Sequence, residues 1–235
     1  MIEFIGHKDY GGWHTETRDL NADSIVYSFG VGDDISWDLE LIKKFGCKVY
    51  AFDPDPKSVA WVSAQMTPSQ FVFEPIGIAA YDGIQRFYHA FKANKINAST
   101  VRKNKTYDDL PVKRLRTLMR ERGHDHIDVL KMDIEGSEYD VVEDVVDLAI
   151  EQILIETHGH FFSGWKGLKQ AYGWLKTKRL LGTMRRAGFS IHHMHKIGDG
   201  SSDGDYLFLR RWEWPKVALG ELEARLMWSP IRTFW

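Results

Sequence analysis

Short apolar runs that stop on glycine or a polar cluster, separated by stretches of helical periodicity, constrain this chain more than any other feature. Ser24-Ile-Val-Tyr-Ser-Phe29 ends abruptly at Gly30-Val-Gly32, the pattern of a buried strand entering a tight loop. Apolar positions then fall at 35, 39, 42 and 45, with Leu41 beside them, on one face of a helix that Gly46 closes. A second strand over 47–52 must stop at the prolines of Asp53-Pro-Asp-Pro56, and a helix follows over 57–65. A third strand covers 71–73, and 85–91 forms an added strand or hairpin arm. After a helix over 115–122, Ile127-Asp-Val-Leu-Lys-Met132 returns as a strand that ends on Asp133. Tyr139, Val142, Val145, Val146 and Ala149 mark the next helix by their spacing of three and four. A fifth strand over 151–157 closes on Glu156, His158 and His160. Residues 165–186 are helical with interruptions at Gly173 and Gly182, and 189–195 with 205–210 make a terminal antiparallel hairpin.

Strands alternating with helices imply an α/β fold, a mainly parallel sheet with helices on both faces, because parallel neighbours need right-handed crossovers. Ligands of such sheets bind beyond the carboxyl ends of the strands. The polar clusters at 30–34, 53, 133–135 and 156–160 all fall at those ends, so they converge on one edge.

The 235 residues fit one embellished domain: an N-terminal arm over 1–22, the main domain over 23–211, and an extension over 212–235 packed on it. The 31 basic and 33 acidic side chains leave a net charge of -2, which gives no broad electrostatic footprint for nucleic acid. No apolar run approaches the ~20 residues of a membrane span. Charges among the first ten residues are unlike a signal peptide, and Cys47 is the only cysteine. A cytoplasmic protein is expected.

The glycine loop discriminates between cofactors. A dinucleotide fingerprint wants a third glycine where Ile35 stands, and Asp33 and Asp34 occupy the place where a pyrophosphate meets helix N–H groups. Like charges within ~4 to 6 Å oppose that ligand. S-adenosylmethionine has no phosphate and carries a sulfonium and an ammonium, so carboxylates near the loop favour it. Asp53, at the end of the second strand, could accept both ribose hydroxyls.

Three blocks resemble the FkbM-type methyltransferase family: Val26-Tyr-Ser-Phe-Gly-Val-Gly-Asp-Asp34, Val49-Tyr-Ala-Phe-Asp-Pro-Asp-Pro56 and, most specifically, Asp128-Val-Leu-Lys-Met-Asp-Ile-Glu-Gly-Ser-Glu-Tyr-Asp-Val-Val142. Ile155-Glu-Thr-His158 and Gly204-Asp-Tyr-Leu-Phe-Leu209 also fit, so the resemblance covers roughly residues 24–210. It implies a class I methyltransferase (Rossmann-like) fold, with a seven-stranded sheet whose last strand is antiparallel, and methyl transfer usually to oxygen. It also implies that Gly30 and Gly32 line the methionine end of the donor, Asp53 holds the ribose, Gly77 and Ile78 lie near the adenine, and Asp133 faces the reacting end. With their neighbours Phe29, Asp33 and Pro54 these residues form the expected cofactor site. The chain departs from the commoner methyltransferase loop by lacking the third glycine and by having Ser28 where an acid often sits.

Methyl transfer from a sulfonium needs alignment, exclusion of water and removal of the acceptor's proton. His158 is the leading base, since an ordinary pKa of ~6.5 leaves it mostly neutral. Glu156, two residues earlier, orients it or accepts the proton itself, and Asp133 and Glu135 complete the catalytic set. These four also offer the ligands of a hard divalent cation, although a reaction without metal is the preferred reading. Glu135 has an alternative role at the positive end of the next helix. The expected acceptor is a small molecule or saccharide. The rival readings are an NAD-dependent oxidoreductase on a related sheet and a donor-binding module without catalysis.

Overall fold

The structure is a computed structural model that describes residues 1–89, 98–100, 106–162, 168–196 and 203–210. The expected extension over 212–235 lies outside the described residues. Strands β1 (Ile2–Ile5) and β2 (Trp13–Glu16) pair as a hairpin. They lead into β3 (Ile25–Phe29), α1 (Ser36–Phe45), β4 (Lys48–Phe52), α2 (Pro56–Ser63) and β5 (Phe71–Glu74). Next come β6 (Gly77–Ile78), β7 (Gly83–His89), β8 (Ala98–Ser99), β9 (Tyr107–Lys113) and α3 (Leu115–Arg122). The chain continues through β10 (Ile127–Met132), α4 (Glu138–Val145), β11 (Ile150–Thr157), α5 (Leu168–Arg186), β12 (Phe189–Lys196) and β13 (Gly204–Arg210).

Seven strands form the main sheet in the order β12-β13-β11-β10-β3-β4-β5. β5, β4, β3, β10 and β11 are mutually parallel, and β13 runs antiparallel to both of its neighbours. Alternation along the buried strands feeds a core on each face. Val26, Val49, Val129 and Leu154 pack with Trp37 and Leu41 of α1 and Val62 of α2. Tyr27, Leu130, Met132 and Ile153 pack with Leu118 of α3, Val142 of α4 and Leu180 of α5. Helices therefore cover both faces, as the alternation predicts.

Three features depart from the expectation. β6, β7, β8 and β9 build a separate four-stranded sheet, so the arm expected near residue 85 has partners that the sequence did not reveal. Helix α5 runs unbroken through Gly173 and Gly182, because helix interiors tolerate an isolated glycine at about 1 kcal/mol. The N-terminal arm is an ordered hairpin. Gln152 of β11 ties it to the sheet, accepting a hydrogen bond from the Glu16 N–H at 3.0 Å and donating one to the Glu16 carbonyl at 2.8 Å. Among the described residues, no helix is long and apolar enough to cross a membrane.

Candidate active site

The carboxyl ends of β3, β4 and β10 are locked together by main-chain hydrogen bonds. Gly30 N–H donates to the Phe52 carbonyl at 2.9 Å, and Asp133 N–H donates to the Phe29 carbonyl at 3.1 Å. Gly30 has φ +76°, and a Cβ there would stand 1.6 Å from the Asp133 carbonyl oxygen, so only glycine fits this crossing. Gly32, at φ +55°, has open space where its Cβ would lie. Its N–H donates to Asp53 Oδ2 at 3.0 Å, and Asp55 N–H donates to Oδ1 at 2.9 Å. Asp53 is 7% exposed. Burial pushes its pKa up to about 6 against the opposing pull of those two N–H groups.

A cavity of about 540 Å³ opens over this edge, within the ordinary range of ligand sites. Phe29, Gly30, Gly32, Asp53, Pro54, Gly77, Ile78, Asp133, Glu135 and Glu156 all line it, so the structure brings together nearly all of the residues singled out in the sequence. Asp33 is the exception on the cofactor side. It is exposed, stands outside the cavity wall and accepts a hydrogen bond from Tyr10 Oη at 2.9 Å. Asp34 does line the cavity; its Oδ2 lies 2.9 Å from His7 Nδ1 and its Oδ1 accepts the Ser36 N–H at 2.7 Å. The segment from His7 to His14 thereby forms one wall, and Gly11-Gly12-Trp13 lies in it.

His158 is placed differently from a cavity-facing base. It is 5% exposed and does not line the cavity. Its Nδ1 lies 2.6 Å from Oε1 of Glu138, a fully buried residue of α4. Its Nε2 stands 3.6 Å from Asp133 Oδ1, 3.8 Å from Glu135 Oε2 and 3.5 Å from Glu156 Oε1. Burial alone would lower the ring's pKa, but the Glu138 carboxylate, with Glu135 and Asp133 behind it, outweighs burial and holds the pKa well above the ordinary histidine value. The surrounding carboxylates thus favour the protonated ring, against the expectation of a mostly neutral one. Burial, reinforced by the charge of Asp133, raises Glu156 to about 9, so it too carries a proton at neutral pH. Asp133, Glu135 and His158 each offer one ligand atom within 4.8 Å of the others, a grouping that a divalent cation could also use.

Several other residues of the wall have no role assigned from the sequence, where His193 and His195 read as a polar strand face. His14 of β2 stacks on His193 of β12 with ring centroids 3.5 Å apart, and both line the cavity with His195, Asp205 and Lys131. The sequence signal for Lys131 was a charge inside an otherwise apolar strand. The pairing of His14 with His193 is a contact between distant segments and left no local trace.

A mainly parallel seven-stranded sheet with an antiparallel strand inserted next to its edge, and a cavity over the carboxyl ends of its central strands, defines a class I methyltransferase fold. The chain matches the Methyltransferase FkbM domain over residues 24–191, well over half of its length, and belongs to that family. It is 28% identical over 186 residues to the probable methyltransferase-like protein 24 of Homo sapiens, covering 75% of this chain and 44% of that protein. The Rattus norvegicus counterpart is 26% identical over 181 residues, covering 73% and 43%. The chain thus spans less than half the length of these relatives. Solved structures resemble it more remotely. A Methanococcus jannaschii fibrillarin pre-rRNA processing protein gives a TM-score of 0.49 at 11% identity over 82% of this chain and 69% of that one. A Synechocystis magnesium protoporphyrin IX methyltransferase gives 0.42 at 14% over 82% and 72%.

Proposed function

We propose that this chain transfers a methyl group from S-adenosylmethionine to a hydroxyl oxygen of a small-molecule or saccharide acceptor. The observation that carries the reading is the division of one cavity into two unlike walls, a glycine loop with a buried carboxylate on one side and a cluster of carboxylates on the other. The cradle suits a nucleoside without phosphates. Gly30 and Gly32 let the backbone approach a ligand closely. Asp53 retains lone pairs on both oxygens after accepting its two N–H groups and can take the ribose hydroxyls. Gly77 and Ile78 offer the adenine an apolar margin. The donor supplies an activated methyl on a sulfonium, so the protein's own work is alignment and removal of a proton.

Asp133 is the residue to which we assign the acceptor's proton. It lines the cavity and its backbone is tied to the glycine loop, which fixes it relative to the donor wall. Glu156 already holds a proton at neutral pH and serves as a hydrogen-bond donor, while His158, clamped by Glu138, stands behind the carboxylates. A metal is not required by this scheme. The reading includes a reducing, cytoplasmic setting, in keeping with the single, buried Cys47.

Calorimetry on the purified protein tests the donor: S-adenosylhomocysteine should bind and NAD should not. Tight NAD binding with no response to S-adenosylhomocysteine overturns the reading. A panel of hydroxylated acceptors, scored by mass for one added methyl on oxygen, then tests the reaction.

A further inference from the structure

Lys131 is a cation in an unusual place. It sits near the end of β10 between Leu130 and Met132, is 3% exposed, and yet reaches the cavity wall. Its Nζ lies 3.4 Å from the Gly30 carbonyl oxygen and 5.6 and 5.9 Å from the ring centres of Trp13 and Trp37. Among the described residues it makes no direct ion pair. The strand register sets it opposite Ser28 of β3, a neutral residue. An acid at position 28 would have neutralised the ammonium; serine leaves it available. Asp38, on the helix that follows the glycine loop, packs on the same face of the sheet. It is fully buried, and neither of its carboxylate oxygens has a hydrogen-bond partner. Asp38 feels the charge of Lys131, but the buried ammonium has no ion pair in direct contact, an unfavourable state that a fold retains where a ligand completes it.

We propose that Lys131, with Asp38 packed behind it, receives the carboxylate of the donor's methionyl end. This rests on the donor reading above and assigns a specificity residue within that site. The position decides between sources of carboxylate. The ammonium touches the turn of the glycine loop, along which the amino-acid end of the donor must run if its ribose is held at Asp53. Trp13 and Trp37 keep water from the ammonium, so a charge-assisted hydrogen bond made there is stronger than one on the surface.

The test compares two ligands by calorimetry: S-adenosylhomocysteine, and 5′-methylthioadenosine, which keeps the nucleoside and thioether but has no amino-acid carboxylate. The wild-type protein should bind S-adenosylhomocysteine the more tightly. Lys131→Met should weaken S-adenosylhomocysteine by about ten- to a hundredfold and leave 5′-methylthioadenosine unchanged, so that the two affinities converge. The double variant Lys131→Met with Asp38→Asn removes both ionisable groups, guards against a folding defect from Asp38 left without the lysine, and should show the same convergence with a wild-type melting transition. An unchanged S-adenosylhomocysteine affinity in both variants overturns the assignment and points to a carboxylate on the acceptor instead. Equal weakening of both ligands overturns it in favour of a purely structural lysine. A wild-type protein that binds neither compound overturns the donor reading itself, a result visible before any variant is made.

Discussion

The two walls of the cavity are made by different means. The donor wall is main chain: two glycines at positive φ, strand ends joined by N–H to carbonyl bonds, and Asp53 held by two backbone N–H groups. The other wall is side chain: Asp133 and Glu135 follow β10 and Glu156 lies near the end of β11, with His158 and Glu138 of α4 buried behind them. The first wall fixes a shape and the second fixes a balance of charge. Substitutions in the first should therefore disturb binding and stability, and those in the second should disturb turnover with binding preserved.

Gly30→Ala is the harshest way to break the donor wall. The added methyl meets the Asp133 carbonyl, so the strand ends must part, with an expected loss of several kcal/mol in denaturant unfolding and of donor binding by calorimetry. A variant with wild-type stability would show that the crossing is looser than described. On the other wall, Asp133→Asn should lower turnover by about 10²- to 10⁴-fold with donor affinity nearly intact, and turnover of the wild type should survive EDTA. Loss of activity in EDTA would transfer the role of the carboxylates from proton acceptor to metal ligand.

A milder effect separates the walls by pH. Asp53 has a folded pKa of about 6, so donor affinity should fall as the pH is lowered through 6 and the ribose meets a protonated acid. The ligand-free fold responds in the opposite sense. An acid raised above its unfolded value of about 3.9 destabilises the folded state above pH 6, and that penalty fades as the pH drops from 6 towards 4. Affinity measured across pH 5 to 8 should show the decline in wild type and a flat profile in Asp53→Asn. The smallest expected change comes from Tyr10→Phe, which removes the hydroxyl donated to Asp33. About 1 kcal/mol of hold on the N-terminal segment is lost, to be read as faster hydrogen exchange over residues 6–12.

This contrast also explains what could be read from the sequence. Glycines and acids at strand ends act through their immediate neighbours in the chain, so Gly30, Gly32 and Asp53 were legible from spacing, as was the sheet that carries them. Asp33 stands outside the cavity wall, bonded to Tyr10 of the N-terminal segment, a tertiary contact that no local pattern announces. His158 was found, but its protonation was not, since Glu138 reaches it only when α4 packs against β11. The four-stranded sheet escaped notice because β9 pairs with β6 and β7 and its Asp108-Asp109-Leu110-Pro111 run has little alternation of its own.

The stacking of His14 on His193 brings opposite ends of the described chain into the same wall. Synthesis delivers the hairpin first and its sheet partners Gln152 and His193 much later, and contacts between distant segments form slowly. A nascent chain released before β12 would hold the glycine loop, Asp53 and Gln152 yet lack the His193 ring that stacks on His14, so the capacity to enclose a ligand fully should be one of the last properties acquired during folding.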